Sequence, residues 1–288
     1  MMTMNLTGTT KVLGIIGHPV EHSLSPLMQN AALRELGLDY VYVPFPVEPG
    51  SLREAIQGMR ALGIRGFNVT IPHKSAIIPF LDKISPEAIL CGAVNTVCRE
   101  EDLLVGYNTD GTGFLTSLGE DLGFQPAGST VLILGAGGAA RGALAALCAA
   151  GVSCVVVANR TRERGEAIVE KFRDTFDAVT FHLCSLDMVH LEPFLQTADL
   201  LVNTTSVGMN GTSFDGIDLS LMKTGAVVYD MVYSPAETPL LASARSMGIP
   251  CANGTGMLAA QGEAAFYLWT CLEPPRGLMK KTLLSEIA

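Results

Sequence analysis

Short apolar runs rich in β-branched residues recur along the chain, separated by segments of helical length. In the first hundred residues these runs cover 11–17, 40–47, 65–70 and 93–99, with helical patterns at about 26–36 and 52–62,. From residue 130 the rhythm tightens, and strands are predicted at 131–134, 154–158, 179–183, 200–203 and 227–230, most of them separated by helix-length spacers. Strands alternating with helices imply parallel βαβ units with right-handed crossovers and ligands at the carboxyl ends of the strands. The charged, turn-rich stretch 99–110 reads as a first crossing between domains. After Asp230 the pattern predicts a helix at about 238–247, a short strand near 250–252, an apolar helix at 257–272 and another near the C terminus. A second crossing near 248–254 lets this tail return to the first domain. The expected fold is α/β with two domains: a discontinuous one over 1–108 and 249–288, and a Rossmann-type, doubly wound parallel sheet over 109–248.

Composition supports two cores. The chain has 288 residues, 48% of them hydrophobic and only 16% charged, which excludes disorder and coiled coil,. Nineteen basic against 28 acidic residues leave a net charge of −9, which repels phosphate backbones and anionic lipid, so neither nucleic acid nor membrane is an expected partner,. Seven cysteines with no C-x-x-C pair read as reduced, buried small hydrophobes of a cytosolic protein,. The first twenty residues carry no basic region ahead of an apolar core, so no secretion signal is expected,. Residues 131–158 are apolar enough to mimic a membrane span, but Arg141 and five glycines fit strand, helix and second strand better,. The histidines show no metal-ligand spacing, so no metal is expected, and the pattern leaves open whether the protein is a monomer or a homodimer.

The run Gly135-Ala136-Gly137-Gly138-Ala139-Ala140 follows a predicted strand directly and opens the alanine-rich segment 141–150. Such glycines allow a tight turn and close approach of backbone N–H groups to a pyrophosphate at a helix N-terminus, and Ala140 is a permitted small residue at the third glycine position. The next strand ends in Asn159-Arg160-Thr161, with Arg164 beyond, where an enzyme specific for NAD usually has an acidic residue for the ribose hydroxyl,. Two guanidiniums and a hydroxyl suit a 2′-phosphate. Cations at a helix start oppose the macrodipole, which a nearby phosphate would relieve. The expected cofactor is therefore NADP(H).

Before this segment, four polar clusters sit near predicted strand ends. Ser23 and Ser25 precede Pro26, with Ser25 expected as the N-cap of a helix; two hydroxyls at a helix start make a cradle for a carboxylate,. Asn68 and Thr70 share one strand face by period two, and Pro72 forces a turn that leads to Lys74,. Asn95 lies in Gly92-Ala93-Val94-Asn95-Thr96, and Asp110 in Asn108-Thr109-Asp110-Gly111. Each alone is ordinary turn chemistry; four of them ahead of one nucleotide fold point to a substrate site.

Taken with Tyr233-Ser234-Pro235 and with Gly256-Met257-Leu258 followed by Gln261, these blocks resemble the shikimate dehydrogenase family over almost the whole chain. The resemblance implies that Ser23 and Ser25 hold the substrate carboxylate, and that Asn68, Thr70, Asn95, Tyr233 and Gln261 contact ring hydroxyls or line the pocket. Lys74 and Asp110 would be the catalytic pair. Gly135, Ala136, Gly137, Gly138, Ala139, Asn159, Arg160, Thr161, Arg164, Met231 and Gly254 would bind NADP(H). One departure is Gln29, where the family often has His. The implied reaction is reversible reduction of 3-dehydroshikimate to shikimate by NADPH in aromatic amino-acid (chorismate) biosynthesis, in the cytoplasm and without a metal. Two other readings stay open: a quinate/shikimate dehydrogenase with relaxed substrate or cofactor choice, and a non-catalytic NADP(H)-sensing module.

Overall fold

A mixed six-stranded sheet organises the N-terminal half of the chain in the computed structural model, which describes residues 6–287. In chain order its elements are β1 (Lys11–Gly17), α1 (Ser25–Glu35), β2 (Tyr40–Pro46), α2 (Leu52–Ala61), β3 (Gly66–Val69), β4 (Lys83–Ile84), α3 (Pro86–Cys91), β5 (Thr96–Glu100) and β6 (Leu103–Tyr107). The strand order is β2-β1-β3-β5-β6-β4. β1 runs parallel to β2 and β3, whereas β5 is antiparallel to both β3 and β6. Strict alternation divides the faces: Ile16, Phe67, Val69 and Val97 turn to a core with Leu52, Ile56 and Met59 of α2, all fully or nearly buried,. Tyr42, Gly66 and Asn68 share the other face through the register Leu13↔Tyr42, Leu13↔Gly66 and Ile15↔Asn68.

Helix α4 (Asp110–Leu122) leads to the second sheet. Its elements are β7 (Thr130–Leu134), α5 (Gly138–Ala149), β8 (Cys154–Ala158), α6 (Arg162–Arg173), β9 (Thr180–Cys184), α7 (Met188–Leu195), β10 (Leu200–Asn203), the short β11 (Val207–Asn210), β12 (Val227–Asp230), α8 (Pro239–Ser246) and β13 (Cys251–Asn253). The all-parallel order β13-β12-β10-β7-β8-β9 reverses direction between β7 and β10. This is the doubly wound arrangement expected from the sequence, and its ligand crevice lies at the carboxyl ends of β7 and β10, where loops leave in opposite directions. β7 and β10 are wholly apolar and buried on both faces, as a central parallel pair must be, apart from Thr130 and Asn203 at their ends,. The chain ends in α9 (Thr255–Thr270) and α10 (Leu278–Ile287).

The two compact units divide at Gly113/Phe114 and Leu258/Ala259 rather than at 108/109 and 248/249. Both passages fall inside helices, α4 and α9, where no turn or composition shift marks them. The stretch 99–110, expected as the crossing, instead holds most of the β5–β6 hairpin. Its charges cluster at the turn, Glu101 takes a positive φ of 54°, and Leu104 and Val105 are buried. All seven cysteines are free thiols, but only Cys91, Cys98 and Cys148 are buried; Cys154, Cys184 and Cys251 are half-buried and Cys271 is exposed. Burial pushes the Cys98 thiol up to about 11 and that of Cys148 up to about 12, which leaves both as poor nucleophiles,.

Within the first unit, Trp269 of α9 is buried, with its indole N–H donating to the Val97 carbonyl at 2.9 Å. Gly66 makes that approach possible, since a Cβ there would stand 2.3 Å from the indole ring and 2.8 Å from the Val97 oxygen. Gly66→Ala is expected to destabilise the protein by about 1–3 kcal/mol, the usual cost of overpacking. A lower urea midpoint than wild type is the measurement that checks it.

Candidate functional site

The first helix begins one residue earlier than a Ser25 cap requires. Leu24 already has helical dihedrals, so Ser25 is the first helical residue and does not cap it; instead the Ser25 N–H donates to Ser23 Oγ at 3.3 Å. The Ser25 hydroxyl is thereby released from capping duty. Both serines sit at a helix N-terminus, where unpaired N–H groups and the macrodipole favour an anion such as a carboxylate.

The turn after β3 is held by backbone and side-chain bonds together. Thr70 N–H donates to the Ile16 carbonyl at 2.9 Å, and the buried His73 ring donates from Nε2 to the Val47 carbonyl at 2.6 Å. Lys74 follows, its carbonyl accepting from Val94 N–H at 2.7 Å. Its ammonium Nζ lies 2.6 Å from Asp110 Oδ2, with the two side chains 33% and 20% exposed, so the pair is reachable and still partly desolvated. Asp110 opens α4, where the helix N-terminus favours its negative charge,.

Asn95 bridges the remaining parts. Its Nδ2 donates to Asp110 Oδ1 at 2.8 Å and to Thr109 Oγ1 at 2.9 Å, and reaches Gln261 Oε1 at 3.4 Å. Its Oδ1 accepts from the Thr109 N–H at 2.8 Å, which fixes the amide's orientation. Asn68 lies one strand over, 4% exposed, with both amide hydrogens committed to the Asn95 carbonyl and Thr96 Oγ1. Lys74, Asp110, Asn95, Asn68 and Gln261 are thus brought into one connected network. Tyr233 belongs to the second unit, on the segment after β12, where burial raises its phenol above the usual value. Tyr42, Thr96 and Thr109, which the sequence did not single out, are integral to the network. Thr96 and Thr109 lie inside the polar clusters that hold Asn95 and Asp110, and the signal for Tyr42 is its period-two place on the strand beside β1.

In the second unit the glycine run fits a pyrophosphate. Gly135 has φ +108° at the end of β7, and a Cβ there would lie 2.8 Å from Thr204 Oγ1, so both its conformation and its close approach require glycine,. Gly137 caps α5 with no side-chain bond and faces open space, and Gly137, Gly138 and Ala139 are exposed. The first N–H groups of α5 therefore point outward without intrahelical partners. Arg141 on the same first turn keeps a buried Nε with no partner among the described residues. Ala140 is fully buried, in keeping with its place at the third glycine position.

At the end of β8, Asn159 donates to the Thr161 carbonyl at 2.6 Å, and the Thr161 hydroxyl makes no cap bond to α6. Arg162 pairs with Glu166 at 2.7 Å, whereas Arg160 and Arg164 are exposed and make no ion pair among the described residues. Two unpaired guanidiniums beside a free hydroxyl fit a phosphate ester. Met231 and Gly254, distant in sequence, meet on adjacent segments: a Cβ on Gly254 would lie 2.2 Å from the Met231 carbonyl oxygen. The donor set thus suits a dinucleotide carrying a 2′-phosphate.

Family models match the chain in three stretches: a shikimate dehydrogenase substrate-binding domain over residues 15–97, shikimate/quinate 5-dehydrogenase over 119–209, and a shikimate 5′-dehydrogenase C-terminal domain over 254–284. Among curated proteins, NADP(+) shikimate dehydrogenases of Geobacter metallireducens and Geobacter sulfurreducens are 60% and 61% identical over 284 residues, covering 99% of this chain and 99% of each relative. Among solved structures, a shikimate dehydrogenase in complex with NADP+ is 40% identical with a TM-score of 0.90, covering 100% of this chain and 99% of that one.

Proposed function

This chain belongs to the shikimate dehydrogenase family, NADP-dependent oxidoreductases, and from that premise we propose that it interconverts 3-dehydroshikimate and shikimate with Lys74 and Asp110 as the catalytic pair. The observation that carries the pair is the 2.6 Å contact of Lys74 Nζ with Asp110 Oδ2, in a network that also holds Asn95 and Gln261. Bound NADPH supplies a hydride to the C3 carbonyl carbon of the substrate. As negative charge grows on the ketone oxygen, the Lys74 ammonium stabilises and protonates it; in reverse, the neutral amine takes the hydroxyl proton. Asp110 balances the ammonium and aims it. Ser23 and Ser25 hold the carboxylate, and Thr70, Asn95, Gln261 and Tyr233 bind or flank the ring hydroxyls, with Asn68 behind them.

On the cofactor side, the N–H groups of Ala136, Gly137, Gly138 and Ala139 take the pyrophosphate beside Gly135. Asn159, Arg160, Thr161 and Arg164 take the 2′-phosphate, and Met231 and Gly254 lie against the cofactor. Among the described residues no helix is long and apolar enough to cross a membrane. The free thiols support a place in the cytoplasm, and the reaction supports a role in chorismate and aromatic amino-acid biosynthesis,.

The test is initial-rate oxidation of shikimate, then of quinate, each with NADP+ and with NAD+, followed by cofactor absorbance. Activity with shikimate and NADP+ well above the other three combinations is the expected result. Quinate turnover or NAD+ preference moves the chain to the relaxed reading, and silence throughout moves it to the sensing module.

A further inference from the structure

We propose that Tyr42, buried behind the site, is a positioning residue that sets the substrate network by fixing the orientation of Asn68. The inference rests on the functional reading above and adds a residue behind the site. Tyr42 is 1% exposed on β2, on the same sheet face as Asn68, and its ring packs against Trp269 at 5.9 Å between centroids. Phenylalanine would serve that packing equally well. The hydroxyl is a polar group deep in the core, and its use is a 2.7 Å bond donated to Asn68 Oδ1.

From there the donors run in one direction. Tyr42 has a single proton, and it goes to Asn68. The Asn68 amide must turn its nitrogen toward the Asn95 carbonyl, 3.1 Å away, because that oxygen can only accept,. The same nitrogen donates to Thr96 Oγ1 at 3.0 Å, so Thr96 spends its own proton on Asn95 Oδ1 at 3.1 Å. Asn95 is thereby left with its Nδ2 turned toward Asp110 Oδ1 and Thr109 Oγ1, on the side of the catalytic pair. Tyr42, Asn68, Thr96 and Asn95 are all at most 4% exposed, so water cannot substitute for a missing member without opening the core,. Burial also holds the phenol well above its usual value, so it remains a donor across the working pH range,. Ser25, on the carboxylate side, lies close enough to bond the same phenol oxygen. The hydroxyl therefore stands between the two arms of the substrate cradle.

The experiment is Tyr42→Phe, assayed with shikimate and NADP+ beside wild type. The expected result is a rise in shikimate KM of ~10-fold or more, a smaller change in kcat, and an unchanged NADP+ KM. A purely structural role would remove active enzyme, lowering apparent kcat and leaving both KM values in place. Thr96→Val is expected to reproduce the split, Thr96→Ser to restore wild-type KM, and the double variant Tyr42→Phe/Thr96→Val to add nothing beyond either single one. If Tyr42→Phe does not fold, the two Thr96 variants decide the matter in the same way. A shikimate KM within about twofold of wild type in the folded variant overturns the inference while wild type turns over shikimate. A wild-type enzyme silent with shikimate instead brings down the functional reading and this one with it.

Discussion

Lys74→Ala is expected to lower kcat at least ~100-fold, the lower range for loss of a general acid or base, while shikimate still binds. The substrate's carboxylate and ring hydroxyls are assigned to Ser23, Ser25, Asn95 and Gln261, none of which depends on the lysine side chain for its position. Lys74 itself is held through its backbone carbonyl, which accepts from Val94 N–H, so the variant keeps the turn. What it loses is the ammonium against Asp110 Oδ2 and, with it, the proton that neutralises the developing alkoxide. Single-turnover rates at saturating cofactor, together with a shikimate Kd from fluorescence or calorimetry, separate the two effects. A variant with near wild-type kcat removes Lys74 from the chemistry. Asp110→Asn is expected to fall in the same direction by a smaller factor, because it keeps a hydrogen-bonding partner for Nζ and loses only the balancing charge.

The second large effect concerns cofactor choice. Replacing both Arg160 and Arg164 with alanine is expected to raise the NADP+ KM ~100-fold or more and to leave the NAD+ KM unchanged. Each charge-assisted hydrogen bond to a phosphate contributes roughly 1.5–3 kcal/mol, and two are lost together. Both guanidiniums are exposed, so screening holds the effect toward the lower end of that sum, and the NADP+ KM of wild type should itself rise with ionic strength,. Arg162, already engaged by Glu166, serves as the control, and its alanine variant should change neither constant by more than about twofold,. If the double variant keeps the wild-type ratio of NADP+ to NAD+ efficiency, the 2′-phosphate site lies elsewhere.

How much of this was legible beforehand differs between the two units. In the second, β7 is a short apolar strand followed at once by glycines and then by an alanine-rich helix, and each element satisfies its own local preference,. A parallel strand buried on both faces must be apolar throughout, so the strands of the nucleotide sheet announced themselves. In the first unit, β6 went unread because its hairpin partner supplies much of its reason to be a strand, and its neighbouring charges looked like a linker. Ser25 looked like a cap because serine before proline usually is one; the dihedrals of Leu24 moved the helix start forward,. The passages between the units leave no mark in the sequence because helices α4 and α9 carry the chain across without a break.

The sequence by itself determined the elements, the doubly wound nucleotide sheet, and the residue types that can carry a carboxylate, a proton and a 2′-phosphate. These follow from periodicity, turn chemistry and motif spacing, all of which are local along the chain. Tertiary structure alone decided which polar side chains meet. Asn68 and Thr96 face each other because β3 and β5 pair antiparallel in one register, and Tyr42 reaches Asn68 because both stand on the same face beside β1. A shift of one residue in either pairing would turn those side chains to the opposite face. Gln261 joins the network from α9, far along the chain, and Met231 meets Gly254 only because glycine lets two backbones touch. Such contacts are set by register and by close approach, quantities that no window of sequence contains.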